Sequence, residues 1–140
     1  MRSLVACATA LILAACGSAP PAREQSQLQS ASANAVVERL LTSAATDFHT
    51  QRAPRPVGFR NVRSGYATTS DGTRQYRLCG EFLPANEGGE ARWVPFATIE
   101  TSPYEQWLGD QAVGFCRPDA VVWETGDLSS RLQSHLDSLR

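Results

Sequence analysis

At 140 residues, 42% of them hydrophobic and 19% charged, the chain has the length of one domain and a short appendage. Its formal charge is −1, from 13 basic residues, every one an Arg, against 14 acids. A balance so close to neutral gives no electrostatic footprint for nucleic acid, and a chain without Lys cannot carry a Ser-x-x-Lys nucleophile.

The first element is Arg2 followed by an apolar or small run from Leu4. It is too short to stay in a bilayer as a spanning helix and fits the hydrophobic region of a secretory signal peptide. Leu13-Ala14-Ala15-Cys16 resembles the lipobox of bacterial lipoprotein precursors. That resemblance implies removal of residues 1–15, diacylation of the Cys16 thiol and acylation of the new amino group. One fatty chain gives marginal membrane binding, whereas two or three hold firmly at about 0.8 kcal/mol per buried methylene. Gly17 stands where inner-membrane retention usually shows Asp, so the resemblance favours the periplasmic face of the outer membrane. Another bacterial membrane, on its extracytoplasmic side, is the alternative. Residues 17–32 are small and polar with paired Pro, which predicts a flexible tether from Cys16 through residue 32. Residues 33–140 are then a single folded domain.

Within that domain Val36, Val37, Leu40, Leu41, Ala44 and Phe48 recur at helical spacing. They predict a helix starting near Asn34 and ending before Pro54. Phe59 to Thr68 is β-prone with broken alternation, as in a bulged strand, and Ser70-Asp71-Gly72 signals a hairpin turn. From Thr73 to Leu83, Tyr76, Leu78, Gly80 and Phe82 fall on one face, and Arg77, Cys79 and Glu81 on the other. Residues 84–89 read as a loop and Ala91–Glu100 as a third strand, with Pro95 pointing to an edge or a bulge. Pro103–Gly109 reads as a loop, Gln111–Cys116 as a strand and Ala120–Trp123 as one more. Asp127 would cap a last helix carrying Leu128, Leu132, Leu136 and Leu139. The expected class is α+β: an N-terminal helix, an antiparallel meander of three to five strands and a C-terminal helix, with helices on one sheet face.

Cys79 and Cys116 are the cysteines left after processing. In an oxidising compartment an even pair is read first as a structural disulfide, worth roughly 4 kcal/mol for a loop of this length. Free buried thiols, or a redox or metal role, are the alternatives. Cys-x-x-Cys spacing is absent, and no Cys/His cluster accompanies either residue.

Little else carries chemistry. His49 and His135 lack ligand spacing, so no metal is expected and no cofactor is implied. There is no G-x-S-x-G elbow, and the glycines of Glu87-Gly88-Gly89-Glu90 have acidic neighbours unsuited to phosphate. Glu81, Glu87 and Glu90 could form an acid/base pair, but acidic loop residues are ordinarily solvated. Residues 51–80 hold six Arg against Asp71, and residues 81–127 nine acids against Arg92 and Arg117. Cross-strand pairing explains that split, with a contiguous anion-binding Arg face as the rival. Trp93, Trp107, Trp123, Tyr66, Tyr76 and Tyr104 are read first as core aromatics, with a sugar-stacking platform as the alternative and Trp107 its best placed member.

Phe59-Arg60-Asn61-Val62, then Cys79-Gly80-Glu81, then Asn86 before Gly88-Gly89 and Phe96, resemble small exported proteobacterial proteins. Those carry an F-R-N-V segment and a C-G-E-x-x-x-x-N strand-to-loop motif; the likeness covers roughly residues 35–117. Phe82 stands where Val is common, and the Arg-Pro stretch before Phe59 is unusual. The resemblance implies a periplasmic α+β domain with no assigned catalytic residue. Glu81 and Asn86 would sit where the strand leaves the sheet, and Gly80 would admit a neighbouring chain. Together with Arg60, Arg77 and Trp107 they are the candidate binding residues. The expected function is that of a lipid-anchored periplasmic binding or accessory module, not an enzyme. Its partners would be the membrane, through the acyl chains on Cys16, and an envelope protein or glycan. A small hydrolase or enzyme inhibitor acting on cell-wall material is the alternative.

Overall fold

The structure, a computed structural model, describes residues 21–51, 55–85 and 91–140. Helix α1 (Ala22–Thr50) is followed by β1 (Pro56–Thr68), β2 (Arg74–Pro84), β3 (Val94–Glu100) and β4 (Tyr104–Leu108). Then come α2 (Asp110–Phe115), β5 (Val122–Trp123) and α3 (Ser129–Asp137). The five strands form one antiparallel sheet in the order β4-β3-β2-β1-β5, so the expected α+β meander is present.

The apolar stripe of α1 decides where the core lies. Val36, Val37, Leu40, Leu41, Ala44, Ala45 and Phe48 are all buried. They pack on Val62, Leu78, Phe82 and Phe96 from the sheet and on Leu132 and Leu136 from α3. Each such large apolar side chain contributes about 1.5–3 kcal/mol on burial. Phe48 sits at the centre, with the rings of Phe59, Phe82 and Phe96 at 5.3, 5.0 and 5.4 Å. Alternation in β2 then sends Cys79 to the opposite face. There it meets Ala97, Ile99 and Ala112.

Several local expectations change. The helix begins at Ala22 instead of near Asn34, so much of the stretch assigned to a tether is helical. Between Pro21 and Pro54 the chain has no Gly or Pro, and Ala, Arg, Glu, Gln and Leu all favour helix. Residues 22–32 of this helix are nevertheless all exposed.

Gln111–Cys116 is not a strand: Asp110–Phe115 is the helix α2, lying on the face opposite α1 and α3. Helices therefore cover both faces. Ala112, Phe115 and Cys116 share one helical side, which turns Ala112 and Cys116 to the sheet together and leaves Val113 51% exposed. Tyr104–Leu108 is a strand, not a loop, and pairs with β3 from Phe96↔Leu108 to Glu100↔Tyr104. Pro95 is in an internal strand. Its carbonyl accepts from Gly109 N at 2.8 Å, so its N–H-less side faces past the end of β4, where no ladder bond is lost.

Other expectations stand. β1 is bulged, with register shifts at Pro56/Gly58 and Arg60/Arg63. Asp71 closes the hairpin by accepting from Thr69 Oγ1, Thr73 N and Thr73 Oγ1. Asp127 Oδ1 accepts from Ser129 N at 2.7 Å at the start of α3, where Leu132 and Leu136 are buried, while Leu128 and Leu139 fall outside the helix and Leu139 is 40% exposed. Cys79 and Cys116 form a disulfide with Cα atoms 5.9 Å apart. It ties α2 to the sheet, helped by Arg77 Nη1 donating to the Phe115 carbonyl at 2.7 Å.

Candidate functional site

The F-R-N-V and C-G-E segments are cross-strand neighbours at the second bulge of β1. Arg60 pairs with Glu81, the register slips, and Arg63 pairs with Cys79, leaving Asn61 and Val62 against Gly80. Such a bulge sharpens the local twist and re-aims the side chains around it. Asn61 takes φ +54°, a left-handed conformation that Asn tolerates better than other side chains.

The bulge also organises charge. Arg60 Nε and Nη2 donate to Glu81 Oε2 and Oε1 at 2.9 and 3.2 Å, a two-pronged pair, and Asn61 Nδ2 donates to Oε2 at 3.0 Å. The Arg60 hydrogen bonds, with Asn61 and the Arg60 charge behind them, hold the Glu81 carboxyl below its usual range against a smaller opposing effect of burial. Arg60 in turn lies over the Trp93 ring at 4.4 Å.

Beside this knot is an open groove of about 300 Å³, lined by Asn61, Arg63, Glu81, Pro118 and Trp123 over the Cys79–Cys116 bridge. Arg63 lies over the Trp123 ring at 5.2 Å and is solvent-exposed. Among the described residues no carboxylate is within ion-pair range of it. Trp123 is fixed from behind, because β5 crosses β1 at Gly65. A Cβ on Gly65 would come within 2.7 Å of the Val122 carbonyl and 3.0 Å of Trp123 Cε3.

Of the residues singled out in the sequence, Arg60 and Glu81 come together at this site. Glu81 lies inside β2, paired on both sides with Arg60 and Pro95, and not where the strand leaves the sheet. Asn86 lies outside the described residues, as do Cys16, Glu87 and Glu90. Arg77 is 6% exposed and held by the Phe115 carbonyl and by Gln75 Oε1, a structural placement under α2. Burial lowers its pKa, and its Nε has no partner among the described residues. Trp107 is half-buried in β4 against Phe115, with ring centroids 5.3 Å apart.

Among the described residues, Arg60, Arg63, Arg74 and Arg77 each have a separate setting: Arg60 pairs with an acid, Arg74 lies over Tyr66 at 4.4 Å, Arg63 lies over Trp123, and Arg77 is buried. Asn61, Arg63 and Trp123 were not among the candidate binding residues, although Asn61 and Arg63 lay in the F-R-N-V motif and the Arg-rich stretch. The signal that could have raised those two was the broken alternation of Phe59–Thr68, which marked the bulge. Among the described residues no group of three metal-ligating side chains occurs. No helix there is long and apolar enough to cross a membrane. Compared with protein-family models, curated proteins and solved structures, the chain finds no match.

Proposed function

We propose that this is a lipid-anchored cell-envelope protein, held by Cys16 at the periplasmic face of the outer membrane, that acts by binding and not by catalysis. The lipobox supports the anchor. Glu81 supports the non-catalytic reading: it is the one carboxylate of the groove lining, and Arg60 and Asn61 occupy both its oxygens. A general acid needs a raised pKa and a proton to give, and Glu81 is held the other way. The open groove and the Arg–Trp stacks suit recognition of an envelope protein or glycan. The exposed first half of α1 stands between the anchor and the domain as a spacer, rising about 1.5 Å per residue.

Fatty-acid labelling in cells, followed by crosslinked recovery from envelopes, tests this reading. The native chain should take label, fractionate with outer membrane and bring down one envelope component. Cys16→Ala should lose label and partner together. A native chain that stays unlabelled and soluble would overturn the anchor, and turnover of wall material by the purified protein would overturn the non-catalytic assignment.

A further inference from the structure

The groove holds an arrangement that the binding reading does not itself specify. Arg63 lines the groove with its guanidinium carbon 5.2 Å from the centre of the Trp123 ring. A guanidinium held beside an aromatic ring offers a fork that a carboxylate can grip with two parallel hydrogen bonds. Glu81 lines the same groove, yet its oxygens are committed to Arg60 and Asn61 and not to Arg63.

The lining holds one guanidinium, Arg63, and one carboxylate, Glu81, whose charge is met by Arg60 from beside the groove, so Arg63 is the cation left for a ligand. That balance matches a monoanion, whereas a phosphate dianion would meet Glu81 with less compensation. The other surfaces are apolar and small in relief: the disulfide, Pro118, the Trp123 edge and Gly80, which has no side chain. A carboxylate joined directly to a small apolar group fits both halves.

Resting on the binding-module reading, we infer that this groove receives the free carboxylate end of a peptide chain whose last residue is small and apolar. The carboxylate lies on Arg63, and the terminal side chain lies against Pro118 and the Cys79–Cys116 bridge. Captured chain ends are a recurrent mode of peptide recognition.

The test is calorimetric titration of the detergent-solubilised full chain with Gly-Gly-Ala, its C-terminal amide, and the peptide ending in D-Ala. The free-carboxylate peptide should bind, and amidation or Arg63→Gln should each weaken it by at least about tenfold, the scale of one charge-assisted hydrogen-bonded contact. Arg74→Gln, which removes another exposed Arg lying over an aromatic ring, should leave affinity unchanged. Thermal unfolding of both variants guards against misfolding. Preference for L-Ala assigns a protein tail as the source, and preference for D-Ala a wall peptide. Equal binding of the amide, equal loss in Arg74→Gln, or no saturable binding overturns the inference. Envelope capture separates the two readings: a partner retained by Arg63→Gln removes the groove's role while leaving the anchored binder intact.

Discussion

Gly80 and Val62 meet across the β1 bulge so closely that a Cβ on Gly80 would lie 2.8 Å from Val62 Cγ2 and 3.0 Å from Val62 Cα. Phe96 Cε1 would be 3.0 Å away on the other side. Gly80→Ala is therefore expected to destabilise by about 1–3 kcal/mol through overpacking. Urea unfolding should show a lower midpoint with an unchanged slope. An unaffected midpoint would mean that the bulge relaxes freely.

Cys79 and Cys116 are 37 residues apart. Replacing both with Ser should cost roughly 4 kcal/mol by the loop-entropy relation. Amide exchange should rise first in α2, which then keeps Arg77 to the Phe115 carbonyl, the Trp107–Phe115 packing and the burial of Ala112 against Ala97 and Ile99. Uniform acceleration across the sheet would contradict a local role for the bridge.

Acid should act on the hairpin at Asp71. Its carboxyl is lowered from 3.8 to about 2, chiefly by the Thr69 side chain and then by Thr73. A folded pKa below the unfolded one means stability that is present above the unfolded value and is lost as pH falls toward about 2. Carboxyl NMR titration should give Asp71 a midpoint near 2. In Asp71→Asn this part of the acid dependence of unfolding should vanish. A titration near 3.8 would show that the hydroxyl contacts do not persist in solution.

Phe48→Ala should be the most damaging substitution in α1, at about 3–5 kcal/mol, because three rings close around it. Removing residues 22–32 should change stability by no more than about 0.5 kcal/mol, since all are exposed. Helical circular dichroism should nevertheless fall. A melting point that drops with it would show that the exposed half of α1 supports the core.

The elements most legible in the sequence were those with a strong period or a physical stop. The stripe from Val36 to Phe48 carried the period and ended before Pro54, the Leu132/Leu136 pair carried the period, and the Ser70-Asp71-Gly72 turn supplied a stop. The beginning of α1 was illegible because a helix with nothing to bury shows no stripe. α2 was misread because six residues are too few to separate a helical face from alternation. Pro95 misled because its missing donor matters only on the side that faces a partner strand. At the site, Arg60 and Glu81 were found as separate motif members, but their union needed the register. Asn61, Arg63 and Trp123 become neighbours only through the bulge and the return of β5. No local pattern encodes that.

α1 and α3 come from opposite ends of the described chain and share one interior, with Arg131 and His135 of α3 both on the Glu38 carboxylate of α1. A chain emerging N-terminus first thus presents the Val36–Phe48 stripe long before Leu132 and Leu136 exist to cover it. Until the last turns are delivered the domain is missing one wall. A chain made N-terminus first therefore completes this interior only when its last helix is available.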